Sequence, residues 1–125
     1  MSRWFAPEII KEEKKVYKSK PADVFAFGMV ALEVFTGKVP FIELGNDSAV
    51  FLAIAKGTRP QKPGNALQLR ISDEMWKFFV RCWQGKPEKR PEIGEVVTKW
   101  DRFVQGDYTP EGKSVILRLL GLQLI

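Results

Sequence analysis

The sequence predicts a mainly α-helical domain built around one buried central helix, and three observations carry that expectation. The block from Val24 to Phe35 is apolar around its whole circumference, as a helix covered on every side must be. Two later stretches, Trp76–Trp83 and Ile93–Val104, repeat apolar residues at i, i+3, i+4 and i+7, which gives each one buried stripe. Residues with capping chemistry precede these stretches, and glycines follow them.

Taken in order, the first informative stretch is Trp4-Phe5-Ala6-Pro7-Glu8-Ile9-Ile10. A mixed-sign run follows, Lys11-Glu12-Glu13-Lys14-Lys15, and reads as a solvated helix end or loop. The central helix opens at Lys20-Pro21-Ala22-Asp23, where a first-turn proline is tolerated because its missing N–H has no intrahelical partner. Ser19 is placed to cap that turn, and Gly37 suits the left-handed position just past the helix end. Only Gly28 and Glu33 interrupt the apolar block. Asn46, Asp47 and Ser48 are candidate caps for a short helix through Val50, Phe51, Leu52, Ile54 and Ala55, stopped by Gly57. Thr58 to Ala66, with Pro60, Pro63 and Gly64, reads as an irregular loop.

Ser72 then caps a third helix. Asp73 and Glu74 sit where the helix dipole favours acids, and Ile71 and Trp76 occupy the staple positions around the cap. Its expected buried stripe is Trp76, Phe79, Val80 and Trp83. Pro91 marks the start of a fourth helix, with Glu92 and Glu95 early in it. Ile93, Val96, Val97, Trp100, Phe103 and Val104 form its stripe, and Gly106 closes it. Residues 107–125 form a separate apolar tail. Turn chemistry at Thr109-Pro110-Glu111-Gly112 leads into a segment from Val115 to Ile125 that reads as a short helix docking on the rest.

Composition narrows the function. At 125 residues with 45% hydrophobic content, the chain has room for one domain with a real core. Twenty Lys and Arg against fifteen Asp and Glu give a net charge of +5, a mildly basic surface with no basic run interleaved with aromatics. A nucleic-acid partner is therefore not expected. Cys82 stands alone, so neither an intrachain disulfide nor a Cys-rich zinc site can form, and the absence of histidine removes an imidazole general base. No segment has the uninterrupted apolar length of a membrane span, and the amino terminus lacks the apolar core of a signal peptide. An intracellular, cytoplasmic setting is the expectation.

Three motifs in fixed order resemble the later part of a protein-kinase domain. Ala6-Pro7-Glu8 is similar to the signature that closes the activation segment. Asp23-Val24-Phe25-Ala26-Phe27-Gly28, running on to Phe35-Thr36-Gly37-Lys38-Val39-Pro40-Phe41, resembles the central helix of the large lobe and the loop after it. Arg81-Cys82-Trp83 followed by Pro87-Glu88-Lys89-Arg90-Pro91 resembles the motif that joins the last two helices. Trp4 ahead of Ala6-Pro7-Glu8 and the Cys82-Trp83 pair point toward the tyrosine-kinase-like and tyrosine kinase branches. The fold this implies is a helical subdomain equivalent to the late helices of a kinase large lobe, over residues 1–106.

The resemblance also implies roles. Glu8 and Arg90 correspond to a structural ion pair tying the end of the activation segment to the late helices. Asp23 corresponds to the aspartate that accepts backbone N–H groups from the catalytic loop. Gly28 corresponds to a position of close helix packing, and Phe25 stands where the family usually has tryptophan or tyrosine. Arg3, Trp4 and Phe5 correspond to a remnant of the loop that contacts substrate beyond its phosphoacceptor.

What the chain does not contain sets the functional expectation. In the intact family ATP and magnesium are held by a Gly-rich loop, a strand lysine with its helix glutamate, a catalytic aspartate and asparagine, and an Asp-Phe-Gly. None of these is present in the sequence, so the chain reads as a truncated kinase, inactive alone, with no catalytic residue, cofactor or metal of its own. An alternative is a non-catalytic interaction module that binds a kinase or a kinase substrate. A third reading has a separate chain supply the missing lobe. Loss of the preceding helices is expected to bare one face of Val24–Phe35, to be covered by another protein, by self-association or by the tail.

Overall fold

The computed structural model describes residues 2–11 and 19–106, and among these it is mainly helical with no strand. The tail 107–125, and the run 12–15 apart from Lys11, lie outside the described residues. A short 3-10 turn at Ser2–Trp4 leads into α1 (Pro7–Lys11), followed by α2 (Lys20–Thr36), α3 (Asp47–Ala55), α4 (Asp73–Cys82) and α5 (Ile93–Gly106), with a second 3-10 turn at Pro87–Lys89.

Local chemistry fixes the helix ends. The Ser19 side chain accepts a hydrogen bond from the Ala22 N–H, Asn46 from Ala49, and Ser72 from Met75, each satisfying a donor that has no partner inside its helix. Gly37 ends α2 at φ 72°, in the left-handed region, with its N–H on the Glu33 carbonyl. The last helix starts at Ile93, slightly beyond Pro91, and Glu92 accepts the first backbone bond from Val96.

α2 forms the axis of the molecule. It packs chiefly on α4, and also on the leading 3-10 turn, α5 and the second 3-10 turn. The crossing with α4 is tight because Gly28 lacks a side chain. A Cβ there would lie 2.6 Å from Trp83 Nε1 and 2.8 Å from Cys82 Cβ. The closeness leaves the buried Trp83 Nε1–H without a hydrogen-bond partner among the described residues, a local cost accepted for the fit. Aromatic edges hold α5 to α2: Trp100 meets Phe27 at 5.4 Å and Phe35 at 6.2 Å between ring centroids, both near perpendicular. Phe78 and Phe103 join α4 to α5 in the same way at 6.0 Å.

Three expectations about burial need correction. On α4 the buried residues are Met75, Phe78, Phe79 and Cys82, with Trp83 beyond them, whereas Val80 is exposed and Trp76 half-buried. The i, i+3, i+4, i+7 comb fits from residue 75 as well as from 76, and the tight contact with Gly28 selects the Cys82–Trp83 face. On α5 the stripe splits. Val96 and Phe103 are buried, Trp100 and Val104 partly so, and Ile93 and Val97 are exposed at 41% and 62%. Nor is α2 covered on every side by described residues, since Val30 is 46% exposed and Phe27 and Val34 are half-buried. Glu33, the charge within the apolar block, faces Trp4 and accepts its indole N–H at 2.9 Å.

The Gly28 contact yields a direct test. Replacing Gly28 with Ala adds helix propensity but drives a methyl into the Trp83 ring, so the net change is a loss of about 1–3 kcal/mol. Urea titration should show a lower midpoint; an unchanged or higher one contradicts the packing.

Candidate functional site

Arg90 is the centre of the polar interior. It follows the 3-10 turn Pro87–Lys89, whose geometry aims the side chain back beneath α2 rather than into solvent. Its side chain is fully buried. Nη1 and Nη2 donate to Glu8 Oε2 and Oε1 at 2.7 and 2.8 Å, a fork-on-fork pair between residues 82 positions apart. The remaining donors are used as well. Nε reaches the Gln84 carbonyl at 2.8 Å, and Nη1 also reaches the Pro21 carbonyl at 2.9 Å. One guanidinium therefore joins α1, the first turn of α2 and the loop that leaves α4.

A second arginine, Arg59, belongs to the same cluster. It stands in the loop after α3 and donates to the carbonyls of Trp83 at 2.7 Å, Thr58 at 2.9 Å and Ile54 at 3.3 Å. Both Arg59 and Arg90 place their guanidinium carbons 5.1 Å from the centroid of the Phe25 ring. Phe25, fully buried, thus supplies the aromatic face that two partly desolvated cations share. Burial, and then repulsion from Arg90, lower the Arg59 pKa, while Glu8 pulls the other way.

Glu8 answers to the same balance. Burial by itself pushes its carboxyl up, but the Arg90 hydrogen bonds and the charges of Arg90 and Arg59 outweigh that, and its pKa falls below the ordinary glutamate value. Cys82 is the opposite case: burial pushes its thiol up to about 12, so it is an inert core residue.

The other residues singled out from sequence lie elsewhere. Asp23, in the first turn of α2, is exposed, and its carboxylate makes no hydrogen bond or ion pair with another described residue. Arg3 is engaged in the scaffold. Its guanidinium donates to the carbonyls of Pro40, Phe41 and Leu44 at 2.7–3.0 Å and lies 3.8 Å from Asp47. These bonds brace Phe41, whose φ of 57° is a left-handed conformation rare for a bulky residue. Trp4 is tied to Glu33 and Phe5 is half-buried. Among the described residues no cluster of three or more His, Cys, Asp or Glu could hold a metal ion, and no helix is long and apolar enough to cross a membrane.

Sequence reasoning missed Arg59. Nothing in its spacing marks it; the one signal is an arginine in a proline-rich connection, just ahead of Pro60. Its partners are backbone carbonyls, which no sequence pattern displays.

A helical lobe threaded by one apolar helix, its leading segment fastened to its last turn by a buried carboxylate–guanidinium pair, is the architecture these residues define. The sequence profile of the protein tyrosine and serine/threonine kinases matches residues 1–100, and the chain belongs to that family. Among its relatives, a serine/threonine-protein kinase/receptor of Acanthamoeba polyphaga mimivirus is 45% identical over 94 residues, covering 75% of this chain and 5% of that protein. A serine/threonine/tyrosine-protein kinase of Arabidopsis thaliana is 34% identical over 101 residues, 81% of this chain and 24% of the relative. Platelet-derived growth factor receptor beta of Rattus norvegicus is 32% identical over 114 residues, 90% of this chain and 10% of the receptor. The chain spans a small part of the length of each.

The depressed Glu8 pKa sets a pH dependence. A carboxylate whose folded pKa lies below its unfolded value of about 4.3 stabilises the fold fully above that pH, and loses the contribution as pH falls through the folded value. Replacing Glu8 with Gln should cost about 3 kcal/mol at neutral pH, the lower end for a broken buried pair, because Arg90 keeps its carbonyl acceptors. Denaturation midpoints of the two proteins should draw together as pH falls from about 4.3 through the lower folded pKa of Glu8; a gap that persists unchanged into strong acid contradicts the ionised pair.

Proposed function

We propose that these 125 residues supply the structural part of a protein-kinase large lobe, from the end of the activation segment onward, and neither bind ATP nor transfer phosphate on their own. The observation that carries this reading is the contrast between two carboxylates on neighbouring elements. Glu8 is locked to Arg90 and serves the scaffold, whereas Asp23 faces solvent, poised to anchor a loop that none of the described residues provides. The residues with which the family cradles phosphate and magnesium have no counterpart in the sequence, so ATP and magnesium are ligands of the intact lobe pair rather than of this stretch. The target of the parent activity, whether serine, threonine or tyrosine, is read in segments these residues do not include. An intracellular setting fits a kinase domain whose single cysteine is reduced and buried.

A second reading, a non-catalytic module that binds a kinase or a kinase substrate, draws support from exposed apolar side chains in and near α3. Ile42, Phe51 and Leu52 are 55%, 41% and 58% exposed. Pull-down at physiological salt with a full-length kinase separates the readings, because scaffolding alone predicts no recovery.

Isothermal titration of the purified chain with ATP and magnesium tests the principal reading. No heat of binding is expected up to millimolar nucleotide. Magnesium-dependent binding in the micromolar range would overturn it.

A further inference from the structure

A groove of about 400 Å3 opens at the end of α2, where the chain turns from Thr36 towards α3. Buried Leu32 and Phe41 line it from α2 and the turn, and Pro60 and Pro63 line it from the loop after α3. All four fall within the stretch that matches the kinase family, at the opposite end of α2 from Asp23. The prolines make that side apolar and stiff, so little order has to be gained when something docks there. Ile42 lines the same groove yet is 55% exposed, so one turn supplies both a cavity and a projecting apolar side chain. Two opposite charges flank it. Lys38 and Glu43 both line the groove, both are exposed, and neither side chain has an ion pair or hydrogen bond with another described residue. On α4 and α5, by contrast, Arg81 pairs with Glu95, and Lys99 and Arg102 pair with Glu74.

A surface that carries a cavity, an apolar knob and one charge of each sign is complementary to itself under a two-fold rotation. We propose that a second copy of this chain occupies the groove, forming a two-fold dimer. Ile42 of each copy enters the groove of the other, and Lys38 of each meets Glu43 of the other. Charge favours this occupant over a foreign one. A strongly acidic or strongly basic partner is attracted by one of the two groups and repelled by the other, whereas a copy satisfies both. A contact confined to one groove belongs to the small, transient class of interfaces, below about 1,200 Å2 in total, so the dimer is reversible. Association through this turn is independent of whether the chain binds nucleotide.

Sedimentation equilibrium on the full 125-residue chain tests it, and a reversible monomer–dimer equilibrium is expected. Lys38→Glu sets carboxylates against each other across the contact, and Glu43→Lys sets ammonium groups against each other. Each alone should weaken the dimer at least about tenfold. Mixing the two variants should restore it, because every pair across the mixed dimer then joins opposite charges. The double variant Lys38→Glu with Glu43→Lys in one chain should restore it as well. A purely structural effect of either substitution predicts no recovery on mixing. Val97→Asp, an exposed position on α5 outside this groove, should leave the equilibrium unchanged. A monomer at every concentration up to millimolar overturns the proposal and leaves the groove to a different polypeptide. A dimer that ignores both charge reversals, or that Val97→Asp abolishes, overturns it too and moves the contact to another face.

Discussion

The short leading helix, the first turn of α2 and the loop after α4 meet at the Arg90 guanidinium. It is buried, with Glu8 as its carboxylate acceptor among the described residues, and a buried cation without its carboxylate is among the costlier defects a fold can carry. The arrangement of α1, the start of α2 and the loop after α4 follows from that constraint. Each must bring an acceptor to one planar fork, and each does so through a local feature: the short helix that presents Glu8, the first-turn carbonyl of Pro21, and the carbonyl of Gln84. Phe25 completes the setting by giving the cation an aromatic face, and the charge of Arg59 adds to the stronger effect of Arg90 in lowering the Glu8 pKa.

The scaffold has a second, apolar constraint. Gly28 lets α2 and α4 approach until Trp83 and Cys82 fill the space a side chain would occupy. That contact turns the Cys82–Trp83 face of α4 onto α2, and Phe78 then meets Phe103 of α5. The two constraints act at different points of α2, the ionic one at its first turn and the steric one near its middle. The helix is held at both points, and the aromatic edges of Trp100 with Phe27 and Phe35 hold α5 along the same axis.

Much of this is legible in the sequence. Ser19, Asn46, Ser72 and Gly37 announce their helix ends because capping is a local matter of one side chain and one or two backbone groups. The mainly helical character and the kinase kinship were legible for the same reason, since periodicity and ordered motifs survive in the sequence. The phase of the α4 stripe was not, because two combs one residue apart fit equally well and only the partner helix chooses between them. Nor was the place of Arg59 or Arg3. Both bind backbone carbonyls of segments far away in the chain, and a carbonyl leaves no mark in a sequence. Arg3, read by resemblance as part of a substrate-contacting loop, donates to the carbonyls that brace the left-handed turn at Phe41.

A double-mutant cycle on Glu8 and Arg90, read by urea denaturation at neutral pH, probes the pairing most directly. Glu8→Gln, Arg90→Met and the combined variant should be strongly non-additive, with a coupling of about 2–3 kcal/mol, because each single change strands the other group. Additivity within about 0.5 kcal/mol would mean that the two side chains do not depend on one another, and the lobe would have to be held together by something else.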